Sequence, residues 1–562
     1  MPVGLHHVLG HYPPVRHYVM NKDEPRTMTI TPVLIIGGGP VGLALACDLG
    51  WRGVACVLIE QGDGTVGTPK MNEVNIRSME VCRRWGITQQ IDDCPFPANY
   101  PLDSAFVTSL FGHELGRVHR PARADQRSES YGPVRMQVCS QIWFDPILQR
   151  YARTFPHVEL RYHTQLESFE QSADGVTAEV TDTQSGLRST IGAKYLIGCD
   201  GAASTTRRRL GIELVGSGTI GTPINLFFRA PRLLQDCGKE AATFYLCVDD
   251  GGAWANLRII NPSTGMWRLM IDSADPDIDV SMVDRDGYLR RALGCNYQVE
   301  WLDTSIWRRR SALAGSYGTD RVLLAGDCVH QLSPTGAMGM NTGLADAVDL
   351  AWKLDAVLSG WGGDQLLASY DAERRPVGER AVRMATTFYK NNEAWRPDGD
   401  LDEAGTAGEN RRREAGERLV AHLGREFRTV GLQIGYRYEH SPIVVPDGTP
   451  EGPDNPEVYE PTARPGSRAP HVWLADGRSM LDLFGRSFVL LRLGNDAPAV
   501  PGFMAAAAAC AMPLNIVTLT ESEVFAVYQR RLVLVRPDGH VAWRSDLEPD
   551  DISAVLDRVR GA

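Results

Sequence analysis

Paired cysteines are what this chain most plainly lacks. Eleven cysteines are scattered over 562 residues, at 47, 56, 82, 94, 139, 199, 237, 247, 295, 328 and 510, with no C-x-x-C pair. That spacing excludes a disulfide framework or a zinc ribbon and points to a reducing, cytoplasmic setting. A basic excess is missing too. The net charge of −11 is the opposite of what a nucleic-acid-binding surface carries. No apolar run reaches the roughly 18 residues that a membrane span needs. The longest, Phe503 to Met512, reads as a packed helix. No apolar h-region precedes the first strand, so no secretory signal is expected. Residues 1–28, rich in His, Pro and charge, are expected to form a disordered extension, with His6, His7 and His11 in a mobile tail rather than a metal site. The remainder, 43% hydrophobic and 23% charged, is ordinary globular composition, too long for one core.

Against these absences stands one strong local signal. Val33-Leu34-Ile35-Ile36 reads as a buried parallel strand. Gly37, Gly39 and Gly42 follow at G-x-G-x-x-G spacing, with Pro40 and Val41 between them, and Leu43 to Cys47 continues as a helix. The first glycine permits a tight turn and the second lets a pyrophosphate approach the backbone. The third lets helix and strand pack closely, while the helix N-terminus favours phosphate charge. A second strand, Val54 to Ile59, ends in Glu60 and Gln61, where a carboxylate can accept from ribose hydroxyls. Strand, glycines, helix, strand and acid in series predict a dinucleotide site.

Further on, Arg77 to Trp85 reads as a helix stopped by Gly86, preceded by a polar loop from Thr68 through Asn72 to Asn75. Strands are expected around a turn at Gly112, and Gln141 opens an amphipathic segment. Residues 158–197 alternate like a meander that runs into Asp200-Gly201. Gly216, Gly218 and Gly221 repeat the G-x-G-x-x-G spacing, but the strand-like Thr222 to Phe228 follows where a phosphate site needs a helix, so a second dinucleotide fold is rejected. Four strands between 223 and 271 are rich in aromatics, and Tyr245, Trp254, Trp267 and Met270 are candidates to wall an apolar pocket. A second strand–loop–helix series begins at Val322: Gly326-Asp327, then Pro334-Thr335-Gly336 and Gly339-Met340-Asn341, then a helix from Thr342. Residues 395–420 read as a mobile loop leading into a charged helix, and the proline-rich 441–470 as a linker.

Three motifs at these separations resemble the single-component FAD-dependent aromatic hydroxylases, the group A flavoprotein monooxygenases of the p-hydroxybenzoate hydroxylase fold. The resemblance implies that Gly37, Gly39, Gly42 and Glu60 bind the ADP half of FAD. It implies that Asp200-Gly201, with Ser204 and Arg207, serves FAD and NAD(P)H, that Asp327 meets the ribityl chain, and that Pro334, Gly336, Gly339, Met340 and Asn341 run along the flavin ring. Gln141 resembles a glutamine that contacts FAD. The end of the chain, from Pro465 through Arg536-Pro537-Asp538-Gly539, resembles the thioredoxin-like tail of the phenol-type subgroup. With Cys510 as its one cysteine, that tail cannot perform thiol–disulfide catalysis.

The implied fold is α/β and α+β. A Rossmann-type FAD-binding domain is interleaved with a mixed-sheet substrate domain (29–395, substrate sheet mainly about 100–120 and 215–310). A loop, helix and linker (396–465) and a thioredoxin-like domain (466–562) follow. The implied reaction is hydroxylation of a phenolic substrate through a flavin C4a-hydroperoxide, with O2 and transient NAD(P)H. Pro334, Asn72, Tyr245, Arg258 and Trp267 are the pocket candidates, and no metal is expected. A homodimer is compatible, with no nucleic-acid or membrane partner. Neither a W-x-W-x-x-I-P stretch of a halogenase nor the F-x-G-x-x-x-H segment of class B Baeyer–Villiger enzymes is present. A same-fold Baeyer–Villiger or polyketide-tailoring oxygenase stays open, as does, more remotely, a non-catalytic binder of the GDP-dissociation-inhibitor type.

Overall fold

The apolar strand that leads to Gly37 is apolar on both faces because both faces are covered. In the computed structural model, which describes residues 15–19, 27–126, 130–273, 275 and 277–562, Thr27–Ile36 runs through the middle of a nine-stranded sheet. Arg188–Gly198 and Cys56–Ile59 flank it, both parallel to it. Val322–Leu324 extends the parallel array on one side and Val158–Arg161 on the other. The strands that end at Ile36, Gly198 and Leu324 are therefore neighbours, and their loops meet at one crevice at the carboxyl ends, where open α/β sheets bind ligands. Helices Pro40–Arg52 and Gly339–Leu358 share one core on this sheet through Leu43, Leu45, Leu344, Val348 and Ala351.

A second, seven-stranded sheet runs in the order Glu300–Ile306, Ile224–Arg229, Met266–Ile271, Gly252–Asn261, Phe244–Asp249, Ser104–Val107, Glu114–Val118. One face packs a core of Leu226, Phe228, Tyr245, Leu257, Trp267 and Leu269. The opposite face turns toward the crevice. A four-stranded sheet, Leu514–Leu519, Phe488–Leu493, Leu532–Val535 and Val541–Ser545, forms the C-terminal domain, whose last pair is the expected hairpin.

Several expectations need correction. Within the segment read as a disordered extension, Arg16–Val19 is a strand paired antiparallel with Thr27–Ile30; His6, His7 and His11 lie outside the described residues. Val158–Arg161 does not belong to the meander, because it pairs parallel with Cys56–Ile59, while Thr164–Gln171 and Val176–Asp182 join Arg188–Gly198. The proline-rich 441–470 is no free linker: Ile443 is buried with Phe488 and Trp543, and Asp447 pairs with Arg544 at 2.6 Å. Proline sets the path of this stretch, but buried apolar and charged contacts fix it in place. Gly216, Gly218 and Gly221 lie in a bulged strand, Leu214–Gly221, paired with Arg309–Ala314. Among the described residues, no helix is long and apolar enough to cross a membrane.

Candidate active site

The two sheets enclose one cleft of about 1040 Å³. That exceeds the usual size of a pocket for one drug-sized ligand. Its α/β wall holds the glycine motif. Gly37 has φ +107°, and a methyl group there would lie 2.4 Å from the Cys199 carbonyl oxygen; at Gly42 it would lie 2.0 Å from the Gly37 carbonyl oxygen. These two glycines are required by the protein's own packing. At Gly39 a methyl group would meet no protein atom within 4 Å, so its smallness matters to a ligand alone. Gly39 is the N-cap of Pro40–Arg52, and no side chain caps that helix, which leaves its first N–H groups free for an anion. Gly39, Pro40 and Val41 line the cleft. Glu60 lies behind them, its two carboxylate oxygens accepting from the N–H of Gly38 (2.7 Å) and of Gly62 (2.8 Å). Gln61 is exposed at the same strand end.

The second motif is turned inward. Asp200 accepts from Ser204 Oγ (2.6 Å), from the Thr206 N–H (3.0 Å) and hydroxyl (3.1 Å), and from Cys328 Sγ (3.2 Å). Its carboxylate locks the loop 200–206 to the loop 326–328, so Gly201 lines the cleft and Asp200 does not. Asp327, by contrast, opens its carboxyl onto the cleft; among the described residues no side chain donates to that carboxylate, while Gln331 Nε2 donates to its backbone carbonyl at 3.3 Å. Desolvation by the surrounding cleft walls pushes its pKa up, against the pull of His330 and Lys70. Asp346 holds the loop beneath it, accepting from the Gly326 N–H (3.1 Å) and from His330 Nε2 (2.8 Å).

The loop Pro334–Met338 and the start of the next helix complete this wall. That helix begins at Gly339, three residues earlier than expected, again with no side-chain cap. Asn341 lies in its first turn with all four side-chain hydrogen bonds made. Its oxygen accepts from the Asn75 N–H (2.9 Å) and Ser78 Oγ (2.8 Å), and its amide donates to the carbonyls of Glu73 (3.1 Å) and Ala337 (2.8 Å). Asn341 thus clips loop 71–78 to loop 334–341 and has no side-chain capacity left for a cofactor. Gln141, likewise at the cleft, accepts from the Lys70 N–H (3.0 Å) and donates to Asp145 (3.0 Å). Asn72, Pro334, Gly336, Gly339 and Met340 all line the cleft.

The opposite wall is the outer face of the seven-stranded sheet, where the period of two decides which residues arrive. Cross-strand register places Phe227, Arg268, Arg258 and Phe244 in one row, with Asn225, Met270, Asn256 and Leu246 in the next. All eight line the cleft. Tyr245 and Trp267 are one residue out of phase and point into the core on the other face, ring centroids 6.3 Å apart, with the Tyr245 hydroxyl donating to the Glu240 carbonyl. Two of the pocket candidates are therefore core residues, a correction that alternation along each strand explains. Arg258 lines the cleft.

Charge on this wall is lopsided. Eleven Lys and Arg residues line the cleft against four carboxylates, in a chain whose net charge is −11. Arg120 and Arg258 share Glu73, at 3.2 and 3.4 Å, and the two cations hold its carboxyl down at about 2 despite burial. Arg309 pairs with Asp272 at 2.6 Å. Arg268 differs: 9% exposed, it reaches Asn256 Oδ1 at 3.4 Å, and its buried Nε has no partner among the described residues. Burial, with Arg258 and Arg309 nearby, lowers its pKa to about 9. Glu73, Arg120, Arg268 and Glu426 escaped sequence reading. An arginine inside the apolar strand Met266-Trp267-Arg268-Leu269-Met270 was a visible signal; nothing marked Glu426, which is next to last in a short turn after a charged helix.

A Rossmann-type sheet whose helix N-terminus, acidic loop and Gly-rich loop open onto one cleft, faced by a mixed sheet, defines a flavoprotein built to hold a substrate against its cofactor. The chain belongs to the FAD binding domain family, which matches residues 30–385, and carries the aromatic-ring hydroxylase C-terminal domain at 462–562. It is 33% identical to a tetracenomycin B2 monooxygenase-dioxygenase of Streptomyces olivaceus, over 94% of this chain and 97% of that one. It is 31% identical to a 4-methyl-5-nitrocatechol 5-monooxygenase of a Burkholderia species, again over 94% and 97%. Among solved structures, chromopyrrolic acid-soaked RebC with bound 7-carboxy-K252c superposes with a TM-score of 0.88 at 39% identity, covering 95% of this chain and 99% of that chain. RebC with reduced flavin gives a TM-score of 0.87 at 39% identity and the same coverage. FAD is the cofactor, and the enzyme is a flavoprotein monooxygenase of the aromatic and polyketide hydroxylase family.

Proposed function

We propose that this enzyme uses O2 and NAD(P)H to hydroxylate a multi-ring phenolic compound that bears a carboxylate. The observation that carries the reading is Arg268, a buried guanidinium facing the cleft with no carboxylate of its own. Desolvating a cation costs several kcal/mol unless an anion compensates it, and a substrate carboxylate would supply that anion. Phe227 and Phe244 flank the arginine row and offer ring faces. Similarity to the tetracenomycin B2 monooxygenase-dioxygenase and to RebC with bound 7-carboxy-K252c favours a substrate of several rings over one.

FAD, when bound, supplies the oxygen-activating chemistry. The free N–H groups after Gly39 would hold its pyrophosphate, Glu60 its ribose, Asp327 its ribityl hydroxyls, and the uncapped helix start at Gly339-Met340 its ring. The protein's own work is positional. Asn341 ties the two flavin loops together. Arg258, through Glu73, ties the substrate sheet to the same loop, so the ring to be oxidised and the cofactor share one rigid frame. Phe244, Phe227, Leu246 and Met270 keep water away from the reacting carbon.

The test is a panel of carboxylated hydroxynaphthalenes and hydroxyanthraquinones. Addition to the yellow holoenzyme should stimulate NADH or NADPH oxidation, and mass spectrometry should find one atom of ¹⁸O from ¹⁸O2 in the product. Stimulated oxidation without label in the product would sink the oxygenase reading. Equal turnover of decarboxylated analogues would sink the anionic part.

A further inference from the structure

One acid in the cleft, Glu426, is buried without a cation within ion-pair distance among the described residues. Glu426 is the next-to-last residue of the short turn Leu423–Phe427 that follows helix Gly405–His422. It is 8% exposed and lines the cleft beside Asn392 and Phe427. Asn392 Nδ2 donates to its carboxylate at 3.4 Å, and among the described residues no cation lies within ion-pair distance of it. Glu73, a few side chains away, has two arginines. The turn is held against the substrate wall: the Phe427 ring sits 5.7 Å from that of Phe244, Arg258 lies over Phe244 at 5.1 Å, and Arg120 lies over Phe427 at 5.4 Å. Glu426 therefore lines the same cleft as the arginine row, close enough for Arg258 and Arg120 to act on its charge.

We propose that Glu426 is the general base that removes the proton from the substrate's phenolic hydroxyl, a role that rests on the hydroxylation reading above. In this step the substrate O–H bond breaks and a carboxyl O–H bond forms on Glu426. The electron pair stays on the phenolate oxygen, where the ring becomes electron-rich enough to be oxygenated and Arg258 can stabilise the charge. The proton returns to solvent when the product leaves. No oxidant or reductant is consumed beyond those of the monooxygenase reaction. Burial raises the pKa of Glu426 to about 7; the Asn392 amide, Arg258 and Arg120 oppose that rise, and Glu73 adds to it. A base poised near neutrality is matched to this task.

The experiment compares wild-type and Glu426→Gln holoenzymes on 6-hydroxy-2-naphthoate, with ¹⁸O-labelled product as the readout, across pH 6 to 10. In the wild type, kcat/KM should rise through a limb near pH 7. In the variant that limb should vanish and the rate at neutral pH should fall by about 10²–10³. The deficit should then shrink as rising pH ionises the naphthol itself. FAD content and the dissociation constant of 6-hydroxy-2-naphthoate should stay within about threefold of wild type, which separates lost proton transfer from misfolding. Asn392→Leu, which removes the bond favouring the ionised carboxyl, should move the limb to higher pH. A deficit in Glu426→Gln that is the same at every pH, or no deficit, overturns the proposal while leaving the hydroxylase reading standing. If the wild type incorporates no label into this probe or the wider panel, the reading beneath the proposal fails, and the proposal fails with it.

Discussion

Two sets of buried arginines lie in this molecule, and they are partnered very differently. At the seam between the C-terminal domain and the FAD-binding domain, Arg536 is fully buried yet surrounded by acceptors. Asp538 (2.7 Å), Glu373 (2.9 Å) and Asp349 (3.2 Å) all receive it, while Lys353 bridges Asp349 and Glu373 at 2.7 Å each. Arg374, one residue along, donates to Asp346 (2.8 Å), the acid that holds the Gly326 loop. In the cleft, Arg268 has one long bond to an amide. A saturated network sets geometry, whereas an unsaturated cation awaits a partner from outside. The seam therefore reads as framework and the cleft as recognition. The framework reaches the site from both sides: Arg77, which lines the cleft, donates to the Asp538 carbonyl at 2.6 Å and pairs with Glu80 at 2.9 Å, and Glu80 also receives Arg468.

The largest effect that can test this contrast is at the seam. Arg536→Met leaves three buried carboxylates with one lysine, and breaking a buried charge network by removing one side costs about 3–5 kcal/mol. Denaturant unfolding of the holoenzyme should show that loss, accompanied by weaker FAD retention, because the seam holds the helix that begins at the flavin loop. A loss below about 1 kcal/mol would mean that the network is dispensable framework.

Acid should then separate the regions in order. His540, buried beside Asp538 at 3.1 Å, has its pKa lowered to about 4, chiefly by burial. A histidine whose folded pKa lies below its unfolded value near 6.5 binds fewer protons folded than unfolded between those limits. Stability therefore falls as pH drops from about 6.5 to 4, by about 3 kcal/mol in total. Glu73 behaves as a depressed carboxylate: its contribution is whole above pH 4.5 and is lost as pH falls toward its folded value of about 2. Between pH 4 and 7 the urea midpoint of the wild type should rise with pH relative to that of His540→Asn, which lacks this contribution; midpoints that run parallel would remove His540 as the cause.

The glycines offer a smaller and cleaner separation. Gly42→Ala drives a methyl group into the Gly37 carbonyl oxygen and should cost stability and FAD together. Gly39→Ala meets no protein atom, so the melting temperature of the apoprotein should hold while FAD affinity drops about tenfold or more. Equal stability losses in both would show that Gly39 serves packing rather than the pyrophosphate.

Which parts of this could be read from the chain follows the same division. Gly37 to Glu60 was legible because strand, turn and helix N-terminus are contiguous and each glycine has a local reason. Gly326-Asp327 was legible for the same cause. Tyr245 and Trp267 misled because aromatic content identifies a strand but not its facing side; a shift of one residue exchanges pocket for core, and Phe244 and Arg268 are the neighbours that reach the cleft. Asp200 turns away from the cleft toward Cys328, a partner 128 residues away, so its inward turn was invisible in the sequence. Glu426 and the seam depend on long-range packing alone. The prolines of 441–470 suggested a tether because composition reports local stiffness and says nothing of Ile443 entering a distant core.

The smallest expected change in stability is also the sharpest test of the contrast. Arg268→Met removes a desolvated cation that no carboxylate of the protein needs. Stability should stay level or rise by about 1 kcal/mol, the reverse of Arg536→Met, although both replace a buried arginine with the same side chain. Affinity should move the other way. Losing a charge-assisted contact worth about 1.5–3 kcal/mol should weaken binding of 6-hydroxy-2-naphthoate to the holoenzyme by about 10- to 100-fold, with 2-naphthol, which lacks the carboxylate, affected far less. If Arg268→Met destabilises the protein as Arg536→Met does, the cleft arginine is framework after all. If it lowers affinity for both compounds equally, the arginine row fills space instead of recognising charge.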